Sequence, residues 1–129
     1  MSNLEKAEFW IEKQLSRYEE NRFGLMALIN KENGKFIGMC GLLSQELDGE
    51  PVVEIGYHLL NPYWGNGYAT EAASYFKDLA FKNNYTSEIV SIIDEGNVPS
   101  ENVAQRNGMK WWKATKYQDL NVNVYRILK

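Results

Sequence analysis

The stretch Trp64-Gly65-Asn66-Gly67-Tyr68-Ala69-Thr70 places two glycines directly ahead of a run with helical periodicity. Glycine admits positive φ and leaves no Cβ in the path of a ligand. The first amides of a helix lack intrahelical partners, and the helix dipole is positive there. Together these features describe a seat for a phosphate or pyrophosphate. The same pattern also serves as an ordinary strand–helix turn. Two nucleotide-binding patterns do not fit. A P-loop needs Gly-Lys-Ser/Thr, whereas Gly67 is followed by Tyr68-Ala69. A dinucleotide fingerprint needs a third small residue where Thr70 stands, and a parallel βαβ setting. The strand ahead of this loop instead reads as antiparallel to its predecessor.

Few other side chains offer chemistry. Glu54 and His58 fall on one strand face if no bulge intervenes. The imidazole has a suitable intrinsic pKa, although a lone histidine also serves structure. Cys40 sits within Phe36-Ile37-Gly38-Met39-Cys40-Gly41-Leu42-Leu43, where a cysteine fills core volume. Nothing near it in sequence lowers its pKa, so nucleophilic catalysis by Cys40 is rejected. No Cys/His set has metal-ligand spacing, and no metal is expected.

These residues need elements to position them. Ser2 and Glu5 have capping-box spacing ahead of Ala7, Ile11, Leu15 and Tyr18, which predicts an amphipathic helix over residues 2–20. Strands are predicted over 23–30, 35–47 and 52–60 in meander order. Asn33-Gly34 is read as a tight hairpin turn, and Asp48-Gly49-Glu50-Pro51 as a second turn. A loop over 61–67 leads to a helix from Tyr68 to about Asn83, with Ala69, Ala72, Ala73, Phe76, Leu79 and Ala80 on its apolar side. A buried strand over 87–94 follows. Pro99 and Gly108 bracket a helix over 100–107, with Ser100 a candidate N-cap. Strands over 109–116 and 122–128 close the chain as a hairpin. The order αβββαβαββ indicates a mixed α/β sheet with helices on its faces.

In that frame the segment from Glu54-Ile55-Gly56-Tyr57-His58 through Asn61-Pro62-Tyr63-Trp64-Gly65-Asn66-Gly67-Tyr68-Ala69-Thr70-Glu71-Ala72 resembles the acetyl-CoA motif of GNAT N-acetyltransferases. It is most similar to the branch of the ribosomal-protein N-terminal acetyltransferases RimJ and RimL. A second match follows in the expected order: Asn97, Ser100, Val103, Arg106, then Gly108-Met109. The resemblance implies a GNAT-like, mostly antiparallel sheet flanked by helices, and acetyl-CoA as cosubstrate. It implies that backbone amides of Gly65, Asn66, Gly67, Tyr68, Ala69 and Thr70 hold the pyrophosphate. Backbone at Tyr57, His58, Leu59 and Leu60, where the strand splays from the next, would bind the acetyl carbonyl and pantetheine arm. Asn97 would reach a pantetheine amide. Glu54 stands where several members place a carboxylate that deprotonates the amine through water, with His58 a second candidate. Ser100 matches a serine proposed to donate to the sulfur. Two positions depart from the pattern: Pro62 stands where many members have Gln or Arg, and Ala104 where many have a tyrosine acid.

Length and composition agree with one domain over residues 1–129. Hydrophobic residues make up 44% and charged residues 24%, the balance of a globular protein. With a net charge of −3 and no basic run, nucleic-acid partners are not expected. No stretch has membrane-spanning length and no signal peptide is read, so no membrane partner and a cytoplasmic setting are expected. The resemblance further implies a strand and helix ahead of residue 2. The chain therefore reads as N-terminally short, with the edge of its first strand open to homodimer pairing. The resemblance implies a primary amine as acceptor, either a protein N-terminus or a small molecule. The competing reading is a non-catalytic acyl-CoA-binding or interaction domain derived from such an enzyme.

Overall fold

The computed structural model describes residues 23–129. The helix expected over 2–20 lies outside them. Six strands form one sheet: β1 (Leu25–Ile29), β2 (Phe36–Leu47), β3 (Glu50–Leu59), β4 (Glu88–Asp94), β5 (Lys110–Tyr117) and β6 (Leu120–Leu128). Two α-helices, α1 (Tyr68–Lys82) and α2 (Val98–Arg106), and a 3-10 turn, Asn61–Tyr63, complete the described chain. The strand order is β1-β2-β3-β4-β6-β5. All neighbours are antiparallel except β3 and β4, which are parallel. The expected mixed, mostly antiparallel α/β architecture is what is observed.

The turns differ in detail from their reading. Asp48 and Gly49 both take positive φ, 50° and 81°, and join Leu47 to its register partner Glu50. This is the two-residue turn whose twist matches the strands it connects. At Asn33-Gly34 only the glycine takes positive φ, 71°. The Asn30 carbonyl accepts from the Gly34 amide and the Asn33 Oδ1 accepts from the Lys35 amide, which makes a wider loop than the tight turn predicted. Asn33 acts there through its side chain, as an Asx turn, and not through its backbone freedom.

Alternation along the strands divides the sheet into two faces. On one, Cys40, Leu42, Ile55, Ile89 and Ile93 pack with Ala73, Phe76 and Ala80 of α1 and Val103 and Ala104 of α2. The apolar side predicted for α1 is the side it buries, because its small alanines let the helix sit close to the strands. On the other face Leu47, Val90, Val122 and Val124 form a second cluster, flanked by Ile92, Trp112 and Tyr117. Lys113 and Arg126 lie over the Trp112 ring, 4.1 Å and 4.3 Å from its centroid, so long cationic side chains cover this face.

The parallel pair is where the sheet opens. β3 and β4 share a single register pair, Glu54 opposite Val90. Beyond it β3 stays paired to β2 as far as Leu59 opposite Gly38, while β4 stays paired to β6. The result is a fork in the middle of the sheet.

Candidate active site

Two clefts meet at this fork. The larger, about 570 Å³, lies on the helix side between β3, the 64–70 loop and α2. The smaller, about 300 Å³, lies on the opposite face and includes Leu25, Leu43, Glu54, Gly56 and Asp94. Tyr57, His58, Asn97 and Ser100 line both, so the fork is the passage between them.

The larger cleft ends on the start of α1. Gly65 and Gly67 both have φ of 79°, and a Cβ built on either would meet nothing within 4 Å. Gly67 is the N-cap and provides no side-chain cap, and the first intrahelical bond runs from the Glu71 amide to its carbonyl. The amides of Tyr68, Ala69 and Thr70 are therefore left without a helical or side-chain partner among the described residues. The Thr70 hydroxyl is buried and has no hydrogen-bond partner among the described residues. Asn107, buried at the end of α2, donates to the carbonyls of Thr70 and Val103 and so ties the first turn of α1 to α2. Arg106 lines the cleft, and among the described residues no Asp or Glu does. Open amides beside an arginine, with no carboxylate among the described lining residues, suit an anion.

The structure distributes the other candidates unevenly. Gly65, Gly67, Tyr68, Ala69 and Thr70 line the cleft; Asn66 does not, because its side-chain amide donates back to the carbonyls of Tyr63 and Trp64. Tyr57, His58 and Leu59 line it and Leu60 does not. The Leu60 amide donates to the Ile37 carbonyl at 3.0 Å, which corrects its expected place among the open backbone groups. Trp64 Nε1 donates to the Leu59 carbonyl at 2.9 Å, so that carbonyl is also engaged. By alternation His58 faces β2 with its backbone, which leaves the backbone of Tyr57 and the Leu59 amide turned toward the fork.

Ser100 is not the N-cap of α2. Asn97 is: its Oδ1 accepts from the Ser100 amide at 3.3 Å. Ser100 lines both clefts, and neither its hydroxyl nor the Asn97 Nδ2 has a protein partner among the described residues. The Tyr57 hydroxyl donates to the Ser100 carbonyl at 2.7 Å and fixes α2 against β3. Burial pushes the Tyr57 phenol well up, with the Ser91 hydroxyl offsetting this in part, so it stays a neutral donor.

Glu54 is 8% exposed at the closed end of the fork. Its Oε2 accepts from the Ile92 amide at 2.9 Å and its Oε1 from Gln45 Nε2 at 3.2 Å. Burial raises its pKa, and these two bonds pull it back only in part. His58 is exposed on the same face, since no bulge interrupts β3 against β2. Cys40 is fully buried, and its thiol is pushed up to about 12 by that burial. It is core filling, as its sequence context indicates. Ala104, at the position of the family's tyrosine acid, is buried in the core and carries no proton to give. Among the described residues no group of His, Cys, Asp and Glu could hold a metal ion. No described helix is long and apolar enough to cross a membrane.

Sequence reasoning did not assign the cleft positions of Asn102 and Arg106, the tie made by Asn107, or the Gln45 contact to Glu54. Arg106 had a signal, as part of the second motif. The others are long-range contacts with no local pattern.

Residues 1–110 match the family model of the acetyltransferase (GNAT) domain. The uncharacterized protein YkkB of Bacillus subtilis is 36% identical over 96 residues, covering 74% of this chain and 56% of that protein. The chain thus spans little more than half the length of that relative. An acetyltransferase of Agrobacterium tumefaciens aligns with a TM-score of 0.70 at 31% identity, covering 90% of this chain and 67% of that one. RimL, the ribosomal L7/L12 α-N-protein acetyltransferase in complex with coenzyme A, shares the fold with a TM-score of 0.73 at 15% identity, over 98% of this chain and 73% of its own. With the family model matched over most of its length and the fold shared with solved acetyltransferases, the chain belongs to the GNAT acetyltransferases.

Proposed function

We propose that this protein moves the acetyl group of acetyl-CoA to a primary amine by direct attack, without an acyl-enzyme. The carrying observation is the start of α1, which no side chain caps: its open amides, the orphaned, buried Thr70 hydroxyl and Arg106 lie at one end of a cleft that runs to the fork. These donors fit a pyrophosphate. The coenzyme A bound to RimL, a protein of like fold, supports the same ligand here.

Acetyl-CoA supplies the acyl group as an activated thioester. The chain's own residues do the rest. Amides of residues 65–70 anchor the diphosphate, and Asn97 Nδ2 and the backbone of Tyr57 orient the arm that enters the fork. The amine approaches from the smaller cleft, past His58 and Glu54. Glu54 takes the amine proton through one water, and its raised pKa brings it closer to the range useful for a base at neutral pH. The nitrogen–carbon bond forms, the carbon–sulfur bond breaks, and the Ser100 hydroxyl donates a hydrogen bond to the departing sulfur. With Cys40 sealed in the core, direct attack needs no nucleophile of the protein. We place the reaction in the cytoplasm, where a lone thiol stays reduced.

Calorimetric titration with acetyl-CoA, followed by thiol release against a panel of amines, tests the reading. One saturable site and amine-dependent thiol release are expected. Binding without release for any amine would favour a non-catalytic acyl-CoA-binding domain. Absence of binding would overturn the proposal.

A further inference from the structure

The ladder between β3 and β4 stops after one register pair, yet the two strands stay joined at that point. Side chains make the join. The Ser91 hydroxyl of β4 donates to the Ile55 carbonyl of β3 at 3.3 Å, and Glu54 of β3 accepts the Ile92 amide of β4 at 2.9 Å. Each replaces a main-chain bond with a longer reach, which is how two strands can be held together while already moving apart. Glu54 is itself held. Its Oε1 accepts from Gln45 Nε2, and the Gln45 Oε1 accepts from the Tyr117 hydroxyl at 2.6 Å. That chain runs from the β5–β6 hairpin, through β2, to the fork.

We infer that Glu54, oriented by Gln45 and Tyr117, is a positioning residue that sets the opening of the β3–β4 fork, separately from any proton it carries. The Ile92 amide, part-buried between diverging strands, needs an acceptor; a β3 carbonyl at ladder distance would draw β4 in and close the passage. A carboxylate reaching across satisfies the same amide from further away. The inference deepens the proposed function, since a fixed fork is what an acyl-carrying arm would pass through.

Three substitutions separate prop from base. Glu54→Gln removes the base and keeps an acceptor: its Oε1 can take the Ile92 amide, and a flip of the Gln45 amide restores the pair on the other side. Glu54→Ala removes both, and Glu54→Asp keeps the charge with too short a reach, should the alanine variant fold poorly. Amide exchange at Ile92, followed by NMR in the ligand-free protein, and coenzyme A affinity by calorimetry are the readouts. Ile92 exchange is expected to quicken about tenfold or more in Glu54→Ala and Glu54→Asp and to stay near native in Glu54→Gln. Coenzyme A affinity should fall in the same two variants, while Glu54→Gln keeps its affinity and loses turnover. Equal Ile92 exchange and equal affinity in all variants would overturn the prop and leave Glu54 as a base alone. If the native protein binds no coenzyme A, the proposed function fails, and the Ile92 comparison still decides the prop.

Discussion

Gly67→Ala tests the anion cradle most sharply, because the molecule contains its own control. Gly67 and Gly34 have nearly equal φ, 79° and 71°, and a Cβ at either meets nothing within 4 Å. An L-residue held in the left-handed region costs about 1–2 kcal/mol. The loss of glycine's freedom in the unfolded chain returns about 0.4–1 kcal/mol. Both variants should therefore be destabilised by about 1 kcal/mol, or about 4 °C in Tm for a chain of this size. Only Gly67 stands at the N-terminal end of α1, where the backbone must keep its shape for the amides of Tyr68 to Thr70 to stay open. Losing one hydrogen bond to a charged oxygen costs about 1.5–3 kcal/mol, which is roughly 10- to 150-fold in affinity. Thermal unfolding and calorimetry with coenzyme A are the assays. Gly34→Ala should bind as the native protein does, and Gly67→Ala should bind at least tenfold more weakly. Equal affinities for the two variants would refute the cradle, and unequal destabilisation would refute the backbone argument beneath it.

Ser100→Ala should leave stability within about 0.5 kcal/mol, because Asn97 caps α2, and should lower kcat while sparing coenzyme A affinity; unchanged kcat would remove Ser100 from the mechanism. Glu54→Gln should raise Tm at pH 7 relative to native and lose that advantage in acid. A carboxyl with a raised folded pKa binds more protons folded than unfolded, so its stability contribution falls as pH rises from the unfolded value of about 4.3 through the folded one. A Tm gap that stays constant from pH 3 to pH 8 would contradict this sign. Light scattering should find a homodimer, since β1 is an edge of the described sheet with Ile29 42% exposed; a monomer at every concentration would refute pairing there.

What was legible in the sequence was what local pattern encodes. The period of Ala73, Phe76 and Ala80 located α1 and its buried side, and Asp48-Gly49 located a turn at positive φ. Where two local uses competed for one residue, the reading slipped. Ser100 has the chemistry of an N-cap, but Asn97, three residues earlier, takes that bond. Asn33-Gly34 matches a tight turn, but Asn33 uses its side-chain oxygen on Lys35 and widens the loop. The fork's fastenings were not legible at all. Gln45 and Tyr117 lie 72 residues apart and Glu54 and Ile92 38 apart, so only the folded sheet brings them together.

The parallel pair explains why the site lies where it does. β3 and β4 run the same way, so their carboxyl ends lie side by side, and each is followed by a helix: α1 after β3, α2 after β4. Both helix starts, Gly67 and Asn97, are thereby brought to the same end of the fork, and residues beside them line one cleft. Antiparallel strands would have sent the two amide-rich poles to opposite ends of the sheet. The proposed site thus follows the rule that ligands settle at the carboxyl ends of parallel strands, within a sheet that is otherwise antiparallel. The arrangement demands that the pair be joined at its base and open at its mouth, which a regular ladder cannot provide. Glu54 meets that demand at a cost, since burial disfavours its charge more than its two hydrogen bonds restore. A glutamine would satisfy the same amide without that cost, so stability alone does not account for a carboxylate here; the base role proposed for Glu54 is one that a glutamine could not fill.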